Sequence, residues 1–390
     1  MRVAVIGAGL LGAAAARELQ SRGAQVTVYE ATRPGAGTSG TSFAWVNSQS
    51  KTPREYHNLN VAGMRAHADL AAQNGPGRQW YFPTGSLQWA AGQADAERLS
   101  ETSKRLESWG YRVHRISHRE AITLEPDIDI PDAVDRVVSF PWEGYVLPMV
   151  LIGRLLGEAV DRGAALCWPA GVRAVEASGT GVALHLEDGT VSRADAVICC
   201  VGRWTTGLAA TAGYSVPLAD PEAPGTATVG FLGYSTPIPA RISRVLMTPQ
   251  LNIRPEGGGR LVLQALDLDQ HADPGRPPSP DGTIARQLAE RLARVLRSGE
   301  RPALGAVRVG QRALPADGLT IAGYADDGGR VYILATHSGV TLAPLLGRLA
   351  ATEVISDAPA GLLAPFRPGR LLGKTGNSDH LPPARLPGEQ

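Results

Sequence analysis

Lysine is almost missing from this chain of 390 residues, occurring only at Lys51, Lys104 and Lys374; the rest of its 38 basic residues are arginines. Against 37 acidic residues they leave a net charge of +1, so no charge excess points to nucleic acid or to an anionic membrane surface. The arginine skew, with abundant Ala, Gly and Pro, reads as codon composition rather than function. Cysteine is scarce too. Cys167 stands alone and Cys199 and Cys200 are adjacent in an apolar run, a spacing that offers neither a disulfide framework nor a metal-ligand motif. No apolar run reaches the ~20 residues a membrane span needs. The apolar N-terminus is interrupted by a glycine turn and followed by Glu18 with no cleavage-like site, which argues against a signal peptide. A soluble, cytoplasmic chain of two domains, or of one domain with an insertion, is expected. No internal repeat is present.

What the chain does have is concentrated in its first thirty residues. Val3-Ala4-Val5-Ile6 reads as a buried parallel strand, Gly7-Ala8-Gly9-Leu10-Leu11-Gly12 as the turn into a helix running to Gln20, and Gln25 to Tyr29 as a second strand ending in Glu30. In such a β-α-β unit the first glycine makes the tight turn, the second admits a pyrophosphate and the third lets the helix pack on the strand. The helix N-terminus offers free N–H groups and a positive dipole end to phosphate. Glu30, eighteen residues beyond Gly12, is placed to accept from a ribose hydroxyl. This unit binds a dinucleotide, and an acidic residue there argues against a 2′-phosphate; NAD and FAD remain equally open.

Further along, a Gly/Ser/Thr-rich segment over 34–42 precedes helices expected at 55–73 and 94–109, with aromatic strands at 80–90 and a short strand at 111–116. Residues 126–142 read as an irregular, proline-punctuated connection. A helix at 150–160 and strands over 172–201 follow, the last being Ala196 to Val201. Residues 217–266 are strand-like, Ile284 to Leu296 carries one apolar helical face, and Val331–Ala335 is a strand that a loop joins to a helix at 341–354. The final stretch, 359–390, reads as an irregular tail.

Three segments together resemble the D-amino acid oxidase / glycine oxidase / sarcosine oxidase family of FAD-dependent oxidoreductases. They are the Val3-to-Glu30 unit, the Val197-to-Trp204 strand with its Gly202 and Trp204, and the block from Gly310 to Ala351. Within that block, Gly310-Gln311-Arg312-Ala313-Leu314-Pro315 and His337-Ser338-Gly339-Val340-Thr341-Leu342-Ala343-Pro344 are the most specific. The resemblance implies an α/β fold: a Rossmann-like FAD domain assembled from 1–75, 145–215 and 305–358, and a β-rich α+β substrate domain from 76–144 and 216–304. It implies FAD, with hydride transfer from a C–N bond to the flavin.

By the same resemblance the cofactor would touch Gly7, Ala8, Gly9, Leu10, Leu11, Gly12 and Glu30, then Thr41, Ser42, Val172, Gly202 and Trp204, and finally Gly339, Val340, Thr341 and Leu342. Arg312 would pair with a substrate carboxylate, for which a planar guanidinium is suited. His337 would orient substrate or bond the flavin, with a structural histidine as the alternative. Trp45 and Asn47 could wall the pocket, although core packing suits Trp45 better and Asn47 equally well; Glu143 and Tyr145 find no role. The chain lacks the cysteine through which the sarcosine oxidase branch attaches its flavin near 305–315, so non-covalent FAD and no metal are expected. It also lacks that branch's oxygen-promoting lysine, leaving oxygen or another electron acceptor open. The Arg-Asn that glycine oxidases carry at the His337 loop is absent, so the amine or amino-acid substrate could differ from a simple amino acid. Rival readings are an FAD-linked dehydrogenase of a hydroxy acid or cyclic amine, a non-catalytic FAD-binding subunit, and an NAD-dependent dehydrogenase that would leave the C-terminal block unexplained. Oligomeric state is not legible.

Overall fold

The computed structural model describes residues 1–73, 79–299, 301–325 and 328–371. Its organising element is a six-stranded sheet in the order Ile321–Tyr324, Val331–Ala335, Ala196–Cys199, Arg2–Ile6, Gln25–Tyr29, Ala165–Cys167. All its pairings are parallel except the edge pair Ile321–Tyr324 with Val331–Ala335. Side chains alternate across a strand, and here both faces are covered. Val3 and Val5 join a core with Ala13, Leu19, Leu151, Leu155 and Leu346, from the helices Leu10–Ser21, Pro148–Asp161 and Gly339–Ser356. Ala4 and Ile6 join a second core with Val175, Val182 and Leu184 of a three-stranded antiparallel sheet spanning Val172–Ser178, Gly181–Leu186 and Val191–Ala194. Burial on both faces is why these strands read as continuous apolar runs.

An eight-stranded, mostly antiparallel sheet forms the other half. Its order is Leu304–Gln311, Val229–Ser235, Arg260–Gln264, Asn252–Gly257, Val245–Met247, Ser86–Gln88, Arg136–Phe140, His114–Ser117. Helix Thr283–Val295 lays Ala285, Leu288 and Leu292 on it, the face its apolar periodicity marked. The strand Leu304–Gln311, grouped by sequence with the cofactor segments, pairs along its length with Val229–Ser235 in this second sheet.

Differences from the sequence expectations are local. Residues 126–142, read as irregular, contain the strand Arg136–Phe140, recruited by pairing with both Ser86–Gln88 and His114–Ser117. A helix at His118–Leu124 was missed although Ser117 and Glu120 form its capping box, a signal present in the sequence as Ser-x-x-Glu. The C-terminal helix begins at Gly339, two residues before the expected Thr341. The expected irregular tail forms 3-10 turns at Gly361–Phe366 and Pro368–Arg370, and its residues 372–390 lie outside those described. Glu353 anchors the turns, accepting from the Ala360 amide at 2.6 Å and pairing with Arg367 at 2.6 Å. Among the described residues no helix is long and apolar enough to cross a membrane.

Candidate active site

Two adjoining cavities lie between the sheets. The larger, of about 680 Å³, is lined by Gly7, Gly9, Leu10, Leu11 and Glu30, by Ser39 and Ser42, by Val172, by Gly202 and Trp204, and by Gly339 and Val340. The smaller, of about 130 Å³, is lined by Thr41, Ser42, Trp45, Asn47, Lys51, Arg312, His337, Val340 and Thr341. Thr38, Ser42, His337 and Val340 border both.

Local chemistry explains the larger cavity. A β-carbon on Gly12 would lie 1.8 Å from the Gly7 carbonyl oxygen, so only glycine lets the helix leave the strand here. Ala13 is the first amide of that helix with a backbone acceptor, Gly9 O at 2.9 Å. The Leu10 amide meets Ser39 Oγ at 3.1 Å, and Leu11 and Gly12 have no acceptor among the described residues. Glu30 turns back to the same loop, accepting from the Ala8 amide at 2.9 Å and from the Thr32 amide at 3.0 Å. A second helix end lies at the junction of the cavities. In helix Gly339–Ser356 the first amide with an acceptor is Leu342, to Ser338 O at 2.9 Å, so the amides of Gly339, Val340 and Thr341 are uncommitted among the described residues. Both ends present N–H groups and a positive dipole.

The sequence-derived residues fall into three groups. Gly7, Gly9, Leu10, Leu11, Glu30, Ser42, Val172, Gly202, Trp204, His337, Gly339 and Val340 border the larger cavity, and Thr41, Ser42, Trp45, Asn47, Arg312, His337, Val340 and Thr341 the smaller. Ala8, Gly12 and Leu342 border neither. Ala8 and Leu342 are fully buried in the helix core and Gly12 is sealed beneath the turn, so they shape the site from behind.

Arg312 is fixed with care. Nη1 donates to Ala227 O and Val229 O, both at 2.7 Å, and Nη2 donates to Asp269 Oδ2 at 3.2 Å. Nε and the second Nη2 hydrogen have no partner among the described residues. Gly230 makes room for this ion pair: a β-carbon there would sit 2.4 Å from Asp269 Oδ2 and 2.6 Å from Arg312 Nη2. Burial holds the Asp269 carboxyl up at about 6, against the opposing pull of Arg312.

Sequence reasoning missed Lys51 and what stands behind it. Lys51 is buried and borders the smaller cavity. Glu143, also fully buried, accepts from Trp45 Nε1 at 3.1 Å, Ser86 Oγ at 2.6 Å and Tyr111 OH at 2.8 Å. Burial raises Glu143 to about 7, and burial lowers Lys51 to about 7 against the pull of Glu143. Trp45 thus serves both pocket and core. His337 is pushed well below its usual value by its enclosure and by the charges of Lys51 and Arg312, so it is a neutral imidazole. Asn47 donates from Nδ2 to Trp45 O at 3.3 Å, while its buried Oδ1 has no partner among the described residues.

A model of the FAD-dependent oxidoreductase family matches residues 2–353. The chain belongs to that family. It is 26% identical over 382 residues to a glycine oxidase of Geobacillus kaustophilus (strain HTA426), covering 96% of this chain and 98% of that protein. It is also 26% identical over 381 residues to a D-proline dehydrogenase of Pyrobaculum islandicum (strain DSM 4184 / JCM 9189 / GEO3), covering 90% and 95%. The crystal structure of glycine oxidase from Geobacillus kaustophilus matches with a TM-score of 0.79 and 24% identity over 94% of this chain and 98% of that one. FAD is therefore the cofactor, and the α/β fold, with its mostly parallel sheet, is that of this family. The residues present fit FAD: the uncommitted helix-end amides of Leu11, Gly339 and Val340 and the carboxylates of Glu30 and Glu187 line a single cavity of about 680 Å³.

Proposed function

We propose that this FAD-dependent oxidoreductase oxidises the C–N bond of a small amine or amino acid, with the substrate in the smaller cavity and its carboxylate on Arg312. The observation that carries this reading is Arg312 itself. Asp269 and two carbonyls lock its guanidinium, while Nε and one Nη2 hydrogen remain for a two-pronged acceptor at the cavity next to the cofactor site. A carboxylate is the group that matches this fork. The known names of the two relatives, an oxidase of glycine and a dehydrogenase of D-proline, point the same way.

Bound FAD would supply the two-electron oxidant that accepts hydride from the carbon bearing nitrogen. The chain's own residues do the rest. The Leu11 amide would help hold pyrophosphate and Glu30 a ribose hydroxyl, with Val172 at the adenine end. The amides of Gly339, Val340 and Thr341 would face the flavin where its reduced form gathers negative charge. Neutral His337 at the junction can donate or accept without adding charge. No residue has to abstract a proton from carbon, so positioning and exclusion of water are the protein's contribution. FAD would be held without a covalent bond, since residues 305–315 carry no cysteine. The acceptor is oxygen or another carrier.

The deciding experiment is the visible spectrum of the purified protein before and after anaerobic addition of glycine, D-amino acids, N-methyl amino acids, cyclic amines and hydroxy acids. Flavin absorption bleached by an amine or amino acid supports the reading, and reoxidation in air then identifies oxygen as an acceptor. Flavin bleached only by hydroxy acids, or by nothing in the panel, sinks it.

A further inference from the structure

His67 lies on helix Arg54–Ala72, fully buried, and borders neither cavity. Its Nε2 is 2.8 Å from the carbonyl oxygen of Val340, in the first turn of helix Gly339–Ser356. In an α-helix that carbonyl would accept from the amide four residues on. Here that residue is Pro344, which has no N–H. The helix is missing one of its own hydrogen bonds at the turn that borders both cavities, and the imidazole N–H of another helix supplies it.

Two more contacts from the same helix grip this turn. Tyr56 OH donates to Ser338 Oγ at 2.8 Å. Gly63 packs so closely that a β-carbon on it would lie 2.6 Å from the Thr341 carbonyl oxygen. Ser338, Val340 and Thr341 are thus each held from behind, while the amides of Gly339, Val340 and Thr341 stay uncommitted among the described residues. The carbonyl acceptor requires the proton on Nε2, which leaves His67 Nδ1 a buried acceptor with no partner among the described residues. Burial drops its pKa to about 4, which keeps it neutral at working pH.

We propose that His67 is a positioning residue of the cofactor site: it restores the bond that Pro344 deletes, holds the turn 338–341 rigid at the junction of the cavities, and so stabilises reduced FAD. This rests on the reading above, that this helix end faces the flavin. A dipole fixed before the reaction stabilises developing negative charge without reorganisation.

The test is the midpoint potential of FAD in the purified holoprotein, measured by equilibration with redox dyes. His67→Leu is expected to destabilise the reduced form about tenfold, a drop of about 30 mV for a two-electron couple. Pro344→Ala returns an N–H to the Val340 carbonyl, so His67→Leu combined with Pro344→Ala should recover the wild-type potential, which a merely space-filling histidine would not predict. An unchanged potential in His67→Leu, or a drop that Pro344→Ala fails to reverse, overturns the proposal. Should His67→Leu fail to fold, the double variant carries the test: a folded holoprotein with the wild-type potential supports the proposal, and a double variant that misfolds or keeps a lowered potential overturns it. A wild-type potential equal to that of free FAD would instead remove the underlying placement of the helix end, with no variant needed.

Discussion

At Arg312 the structure turns one arginine among many into a distinguishable group, because three of its hydrogen-bonding positions are already spent on Asp269 and on the carbonyls of Ala227 and Val229. Removing the charge while keeping much of the bulk, as in Arg312→Met, deletes two charge-assisted bonds worth ~1.5–3 kcal/mol each. KM for a carboxylate-bearing substrate should rise by ~10²-fold or more, with the flavin spectrum intact; an unchanged KM would dissociate Arg312 from the substrate. Gly230→Ala tests the same ion pair from below, since its β-carbon would displace Asp269 and Arg312. It should raise KM in the same direction without loss of FAD, and a KM equal to wild type would show that the pair tolerates the shift.

Lys51 and Glu143 set a second expectation at this scale. Glu143 is raised from 4.5 to about 7 in the folded protein, so between those values the native state holds a proton the unfolded state has lost, and stability falls as pH rises. Lys51 is lowered from 10.5 to about 7, so between about 7 and 10.5 the unfolded state holds the extra proton and stability rises with pH. The Glu143 penalty is full above about pH 7 and the Lys51 penalty full below it, so their sum is largest near neutrality. Replacing the two together by Lys51→Met and Glu143→Gln should therefore stabilise most near pH 7 and less towards pH 5 and pH 10, followed as Tm against pH. Replacing Glu143 alone should lower Tm, because Lys51 loses the opposite charge whose pull works against its burial. A double variant with the same Tm difference at every pH would contradict the linkage.

Among the elements, those with a strong period were legible and those made by tertiary company were not. The strand Val331–Ala335 was read without error, and helices at 54–72, 93–108 and 283–295 lie within a few residues of their expected bounds, because apolar spacing alone decides them. The strand Arg136–Phe140 depends on two partners remote in sequence, which no local pattern reports. The same reason hid the Glu143 cluster. Its donors Trp45, Ser86 and Tyr111 come from three separate segments, and Lys51 carries no motif of its own. The glycine spacing of the first turn was legible because it is itself a packing requirement, a β-carbon on Gly12 meeting the Gly7 carbonyl. The crossing of helices Leu10–Ser21 and Gly339–Ser356, which aims both N-termini at the larger cavity, depends on a glycine with no motif. A β-carbon on Gly347 would lie 2.6 Å from the Ala14 carbonyl carbon and 2.7 Å from its β-carbon. Gly347→Ala should thus force the helices apart at ~1–3 kcal/mol, seen as a lower denaturant midpoint and weaker FAD retention. An unchanged midpoint with full FAD content would show that the crossing does not depend on this contact.

On the scale of the molecule, the larger cavity is a junction of chain segments rather than a pocket within one of them. Its walls come from residues 6–42, from 171–208 and from 313–340, which are distant in sequence and meet only through the six-stranded sheet and the three-stranded sheet packed on it. A ligand that contacts all three can bind only the folded arrangement, so its binding free energy adds directly to folding stability. FAD at 100 times its Kd should stabilise the protein by about 2.7 kcal/mol. The upward shift in the thermal transition should grow with the logarithm of FAD concentration. ADP, which reaches the β-α-β end at Gly7 to Glu30 and the adenine end at Val172, should give a smaller shift at equal concentration, because it leaves the turn at Gly339 untouched. If stripped protein and holoprotein melt at the same temperature, or if ADP stabilises as much as FAD at equal concentration, the cavity is not bridged along its length and the cofactor placement argued from its two helix ends fails.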